Sequence, residues 1–327
     1  MGSAIARGLV ERGDPRRVRA MVREGRAAER LRGLDVEQVP GDVTGYAADL
    51  ERACVGVDEV FHAAGRLGGA SVSALELHRV HVEGTVAVVR AASRAGVRRV
   101  TVLSSPGLLG PSDLLLDEDA PFAPSNAYER SKAGAEAAVR ALAERVRTEV
   151  VFVRPEFVYG PGDVHVLRLF QAIRARRFVL VSGGRAFCHP TFVSDAVSGI
   201  LAASDWGAAW RVYHIAGPRP VTVAELASTF GEAVGVVPSL SAPAWLMYAL
   251  AAPSEIVAPW LGLAPPLTRS SVDFFARSRM FSTRRAALEL GWRPVVDLVQ
   301  GARLSVAWYR ERGLLPRAAA TSRGRHA

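Results

Sequence analysis

Through the first half of the chain, short apolar runs alternate with stretches whose apolar positions recur three and four residues apart. This pattern predicts helices over Ala4–Arg12, Leu75–Ala95 and Tyr128–Arg145. Strands are predicted at Val18–Val22, Glu37–Val39, Asp58–Ala63, Arg99–Leu103 and Val150–Val153. Brief strands separated by long helices point to βαβ units, hence a parallel, doubly wound α/β sheet with its ligand at the carboxyl ends of the strands. Residues 1–154 read as that domain.

After Pro155, Pro and Gly become frequent. Helices are predicted at Val223–Val234, Ala244–Ala252, Val272–Ala276 and Leu298–Arg310. Residues 155–316 read as a smaller, mainly helical substrate region, with strands near Val179–Val181 and Val212–Ile215 returning to the main sheet. The basic tail 317–327 reads as disordered. Residues 242–263 are the most apolar stretch, but Pro253, Glu255 and Pro259 interrupt it. Buried helices lining a pocket are favoured there over a segment lying on a membrane surface.

The formal charge is +9, with 41 Lys and Arg against 32 Asp and Glu. The arginines are scattered, without an aromatic-interleaved patch, so nucleic-acid binding is not expected. Two cysteines, Cys54 and Cys188, cannot build a disulfide framework, and no signal-peptide pattern opens the chain. A cytoplasmic, reducing setting is the expectation; a homodimer stays open.

The candidate chemistry centres on Tyr128 and Lys132. Their spacing places both side chains on one helix face. Lys132 is the only lysine in a chain of 327 residues with six tyrosines, so its place four residues after a tyrosine is a chance of about 2% on a random draw. An adjacent ammonium is expected to favour the phenolate and lower a phenol pKa that is ordinarily about 10. A compact ammonium also suits a crowded site better than the planar guanidinium this chain otherwise uses. Ser105, at the end of a predicted strand, can polarise a reacting oxygen. His78 and His81 lie three apart on one helix, without a further ligand at metal spacing. Glu118 and Asp119 read as a solvated loop.

With Gly41-Asp-Val43, Phe61-His-Ala-Ala-Gly65, Val82-Glu-Gly-Thr85, Leu103-Ser-Ser105, Tyr128-Glu-Arg-Ser-Lys132, Arg154-Pro-Glu-Phe-Val-Tyr-Gly160 and Leu290-Gly-Trp-Arg-Pro294 in order, nearly the whole chain resembles the extended short-chain dehydrogenases/reductases. The resemblance implies a Rossmann-type fold and an NAD(P)-dependent oxidoreductase. Ser105, Tyr128 and Lys132 would match the catalytic set. Asp42 and Val43 would flank the adenine, Ala63, Ala64 and Gly65 would admit the cofactor to the backbone, and Pro155, Phe157 and their neighbours would hold the nicotinamide amide. His81 stands where the family usually has asparagine, and carries either a proton-relay role or a backbone partner.

The family opens with a strand and a turn T-G-x-x-G-x-x-G, whose last glycine would be Gly2 here. The expectation is that the strand and two glycines are encoded upstream of Met1; their true absence would expose two strand edges and half of a phosphate site. Arg23, with Arg26 near it, stands where an acidic residue would hold an NAD ribose, favouring NADP(H) while NAD stays compatible. Phe157 replaces the asparagine of the sugar-nucleotide branch, and Pro106-Gly107 replaces the acidic pair of its dehydratases. Together with the segments Pro265–Arg269 and Leu290–Pro294, which resemble the hydroxysteroid-dehydrogenase branch, these predict hydride exchange with a secondary alcohol or ketone on an apolar, steroid- or lipid-like molecule. Trp245, Trp260, Phe274 and Phe275 are candidates to line its pocket. The alternatives are a sugar-nucleotide epimerase or dehydratase, and a non-catalytic member with an incomplete cofactor site.

Overall fold

A computed structural model of the chain describes residues 1–13, 17–23, 29–68, 72–260, 263, 265 and 267–316. Glu24, Arg26 and the tail 317–327 fall outside the described residues. Helix α1 (Gly2–Glu11) precedes β1 (Val18–Val22) and β2 (Val36–Pro40), which pair in parallel. Next come α2 (Ala47–Cys54), β3 (Glu59–His62) and a long helical stretch. That stretch comprises α3 (Ala74–His78), a π turn (Arg79–Glu83) and α4 (Gly84–Arg94). Strand β4 (Arg99–Leu103), α5 (Ala127–Arg140) and β5 (Glu149–Pro155) complete the alternating half.

The four-stranded parallel sheet includes a strand from the second half, β7 (Val212–Ile215); its order is β7-β5-β4-β3. This return was expected. The other one is corrected: β6 (Val179–Val181) pairs with β8 (Leu240–Ala242), away from the main sheet. Every residue of β4 is buried, and β5 is buried from Val150 to Arg154, as both-face coverage by helices requires. Among the described residues no ladder joins β1 to β3, and a cavity of about 1180 Å3 is lined by residues of both strands and of α1.

The remaining helices include α6 (His165–Arg174), α7 (Val193–Trp206), α8 (Val223–Val234), α9 (Ala244–Trp260), α10 (Arg269–Ala276), α11 (Arg284–Glu289) and α12 (Leu298–Glu311). Phe170, Phe230 and Tyr309 bring α6, α8 and α12 into one core away from the sheet, with the first two rings stacked at 4.2 Å.

Two further element readings change. Helix α5 stops at Arg140, because Leu142, Ala143 and Arg145 bond three residues back and tighten into turns. Helix α9 runs past Pro253 to Trp260: proline removes one donor, and the surrounding alanine-rich turns carry on. It buries a narrow stripe of Met247, Ala251 and Ala258, so Trp245 and Trp260 are 70% and 88% exposed rather than enclosed. Among the described residues no helix is long and apolar enough to cross a membrane.

Candidate active site

The residues that follow three of the four main-sheet strands lie at the sheet's carboxyl edge: Ala63–Gly65 after β3, Ser104–Ser105 after β4 and Glu156 after β5. Ser105 caps a short 3-10 turn, its hydroxyl accepting from Gly107 N at 3.2 Å. Asn126 caps α5 through Glu129 N at 2.9 Å, placing Tyr128 in the first turn and Lys132 one turn on. The Ser105 hydroxyl acts on the Tyr128 phenol, favouring its ionised form. Lys132 Nζ donates to the Leu103 carbonyl at 2.9 Å, bracing the helix on the end of β4.

His81 sits in the π turn, 1% exposed. Its Nε2 accepts from Arg66 N at 3.0 Å, so the neutral ring carries its proton on Nδ1, which meets Ser131 Oγ at 2.7 Å. The ring stands edge-on to Tyr128, with centroids 5.5 Å apart. Burial, then Lys132, holds His81 neutral, its pKa lowered to about 4. Neighbouring His62 bonds Thr85 Oγ1 at 3.0 Å and is held down to about 3, first by burial and then by Lys132. The backbone-partner reading of His81 therefore has a geometric basis, while exposed His78 stands 3.8 Å from Glu83.

Burial, and then the negative charge of Glu156, pushes the Tyr128 phenol up to about 12, with the Ser105 hydroxyl opposing. The expected lowering by Lys132 is not among the influences on the phenol: burial takes the ammonium itself down to about 8, and its nearest bond is to the Leu103 carbonyl. Tyr128 is thus a protonated phenol, fit to give a proton to an oxygen that gains charge.

The cavity between β1 and β3 is lined by Gly2, Arg23, Asp42, Val43, Ala63, Ala64 and Gly65. Helix α1 opens there with no side-chain cap, Ala4 N and Ile5 N bonding the Met1 carbonyl. A Cβ on Gly2 would lie 3.7 Å from that of Ala63, an ordinary contact that sets the start of α1 beside the end of β3. Arg23 stands 3.7 Å from Asp42. At the other end, a Cβ on Gly65 would lie 3.3 Å from His81 Nε2 and 3.9 Å from Lys132 Nζ, so glycine keeps the cavity open toward the catalytic candidates. This succession of a helix start, an arginine, an aspartate and a side-chain-free segment beside an ammonium fits a dinucleotide.

Pro155, Phe157 and Lys132 are not on the cavity lining. Phe157 has φ 31°, a left-handed backbone that asparagine adopts more readily, and meets Phe274 edge-on at 5.3 Å. Glu118 is not a solvated loop residue: it is 6% exposed and accepts from His214 N at 2.9 Å, since the following turn folds under β7. Asp119 is exposed and pairs with Arg285 at 2.5 Å. Two side chains given no role of their own in the sequence reading, Glu136 and Glu156, border the site; a carboxyl between Pro155 and Phe157 was the signal for the second.

Residues 1–216 match the family model described as the NAD dependent epimerase/dehydratase family. The chain belongs to this family. It is similar to a 4-hydroxy-2-methyl-3-oxo-4-farnesyl-3,4-dihydroquinoline-1-oxide ketoreductase of Stigmatella aurantiaca, 31% identical, with 92% of this chain and 91% of the relative covered. It is also similar to a 2-alkyl-3-oxoalkanoate reductase of Stenotrophomonas maltophilia, 31% identical over 93% of this chain and 94% of that one. Among solved structures, MoeE5 in complex with UDP-glucuronic acid and NAD superimposes with a TM-score of 0.73 at 26% identity, covering 95% of this chain and 98% of that one. As a member, the chain is an NAD(P)-dependent oxidoreductase with a Rossmann-type sheet.

Proposed function

We propose that the chain reduces a ketone on an apolar, lipid- or steroid-like molecule, with NADPH as the preferred donor. The observation that carries this is the grouping of Ser105 with a Tyr128 phenol that burial holds protonated, and with Lys132 one helical turn away. The nicotinamide supplies a hydride to the carbonyl carbon when bound. Ser105 orients the carbonyl oxygen, and Tyr128 gives its proton to that oxygen as charge develops. Lys132 uses one of its three donors on Leu103, leaving the others for ribose hydroxyls. His81, fixed by Arg66 and Ser131, keeps the ring of Tyr128 in place.

Gly2, Asp42, Val43 and Ala63–Gly65 form the cofactor cradle, with Pro155 and Phe157 at its nicotinamide end. Arg23 supports the NADPH preference because it closes β1 without a neighbouring described carboxylate on that strand. Residues 155–316 supply the substrate region, where Phe157 and Phe274 give an apolar wall in place of a sugar-binding amide. Two relatives named for ketone reduction, one on a farnesyl-bearing compound, agree with this chemistry. The test is to follow loss of reduced-nicotinamide absorbance with apolar ketones and with nucleotide sugars. Ketone-dependent oxidation of NADPH is expected; turnover confined to nucleotide sugars, or absent with both, contradicts the reading.

A further inference from the structure

Glu156 follows the last residue of β5, and its main chain is fixed on both sides. Its N–H donates to the Ile215 carbonyl at 3.0 Å, and its carbonyl accepts from Thr191 Oγ1 at 2.5 Å. The residue is 5% exposed. Buried Glu118, Glu129, Glu136 and Asp195 each hold hydrogen bonds through their carboxylates. The Glu156 carboxyl makes none with a described residue. On a residue 5% exposed, a carboxyl without a protein partner but not wholly sealed off is open to one that reaches it from the site.

The charged and titratable groups facing it are Tyr128 and Glu129 from α5, Arg279 from the segment before Met280–Phe281, and Cys188. The guanidinium is already committed: Arg279 Nη2 lies 3.0 Å from Glu129 and 3.8 Å from Asp273. One cation thus faces three carboxyl groups. Burial pushes the Glu156 carboxyl up to about 8; Arg279 opposes this and the charge of Glu129 adds to it. Burial thus favours the neutral carboxylic acid, a hydrogen-bond donor, in a group that acts on the Tyr128 phenol and is followed in the chain by Phe157.

We propose that Glu156 is a specificity-determining residue, whose carboxyl donates a hydrogen bond to a second oxygen of the substrate. The class it selects is a ketone carrying another carbonyl oxygen close to the one Tyr128 protonates, as in 3-oxo esters. This rests on the ketone-reduction reading and adds a preference to it.

The probes are a medium-chain 3-oxo ester and the ketone of equal length lacking the ester carbonyl. Calorimetry measures their binding to the full chain loaded with oxidised NADP, where no hydride can move. Steady-state rates with NADPH give the ratio of kcat/KM for ester over ketone. The wild-type protein should bind and favour the ester, and Glu156→Leu should lower both preferences about tenfold, the effect of one unmade hydrogen bond at a buried group. Glu156→Gln keeps the shape and a donor, so it should retain most of the preference. The wild-type preference should fall as pH rises through about 8, when the acid loses its donor, and the glutamine variant should show no such fall. Binding that depends on Glu156 without any turnover would uphold this inference and sink ketone reduction. Turnover with equal preference in all three proteins would do the reverse. A wild-type protein that does not favour the ester in either measurement overturns the inference. So does a loss confined to NADP affinity, which would assign the carboxyl to the cofactor.

Discussion

Arg154 meets Glu136 through two hydrogen bonds, Nε to Oε1 and Nη2 to Oε2, each 2.8 Å, with both side chains at most 1% exposed. Arg154 stands two residues before Glu156 and Glu136 one turn beyond Lys132, so the pair locks the end of β5 to the helix that carries the catalytic candidates. Glu136→Leu leaves the guanidinium buried and unpaired and should destabilise by about 3–5 kcal/mol. Replacing both residues with leucine and methionine should recover most of that loss, because no uncompensated charge remains. Urea unfolding of the single and double variants checks this; equal losses would show that the pair is not the source.

His81 gives a pH prediction. Its folded pKa, about 4, lies below the ordinary value of 6.5, so the unfolded chain binds a proton that the fold rejects between these values. The stability it contributes is present above about 6.5 and lost as pH falls toward 4. His81→Asn removes that proton uptake and should flatten the dependence by up to about 1.4 kcal/mol per pH unit within the window. Asparagine can still serve Arg66 N and Ser131. Unfolding midpoints from pH 4.5 to 7.5 test it, and an unchanged slope would contradict the buried neutral ring.

The alternation of strands and helices was legible because periodicity follows burial, and the Tyr128/Lys132 spacing because one helical turn fixes it. Val179–Val181 was misplaced since a short apolar run does not specify its partner, and Leu240–Ala242 supplied one outside the main sheet. Trp245 and Trp260 misled because an apolar composition does not say which face is covered. Glu156 was passed over because its meaning lies in its electrostatic coupling to groups distant in sequence: Tyr128, Arg279 and Cys188. The phenol's raised pKa was likewise hidden, as spacing alone cannot show that Lys132 spends its near bond on Leu103.

The proposed preference for NADPH rests on Arg23, exposed at the end of β1 and 3.7 Å from Asp42. Arg23→Asp should weaken NADPH binding by about 1.5–3 kcal/mol, the value of a hydrogen bond to a charged group, and affect NADH much less. Fluorescence titration with each reduced cofactor checks it; parallel losses would mean that Arg23 does not read a 2′-phosphate.

The central claim is that Tyr128 protonates the substrate oxygen while Lys132 serves mainly the cofactor. Its most direct test is the rate of a single turnover on an apolar ketone, measured alongside NADPH affinity in Tyr128→Phe and Lys132→Arg. Phenylalanine keeps the ring packed against His81 but has no proton to give, so turnover should fall at least about a hundredfold with cofactor affinity nearly intact. Arginine keeps the charge but misplaces its donors, so both affinity and rate should fall. Near-normal turnover in Tyr128→Phe would contradict the account.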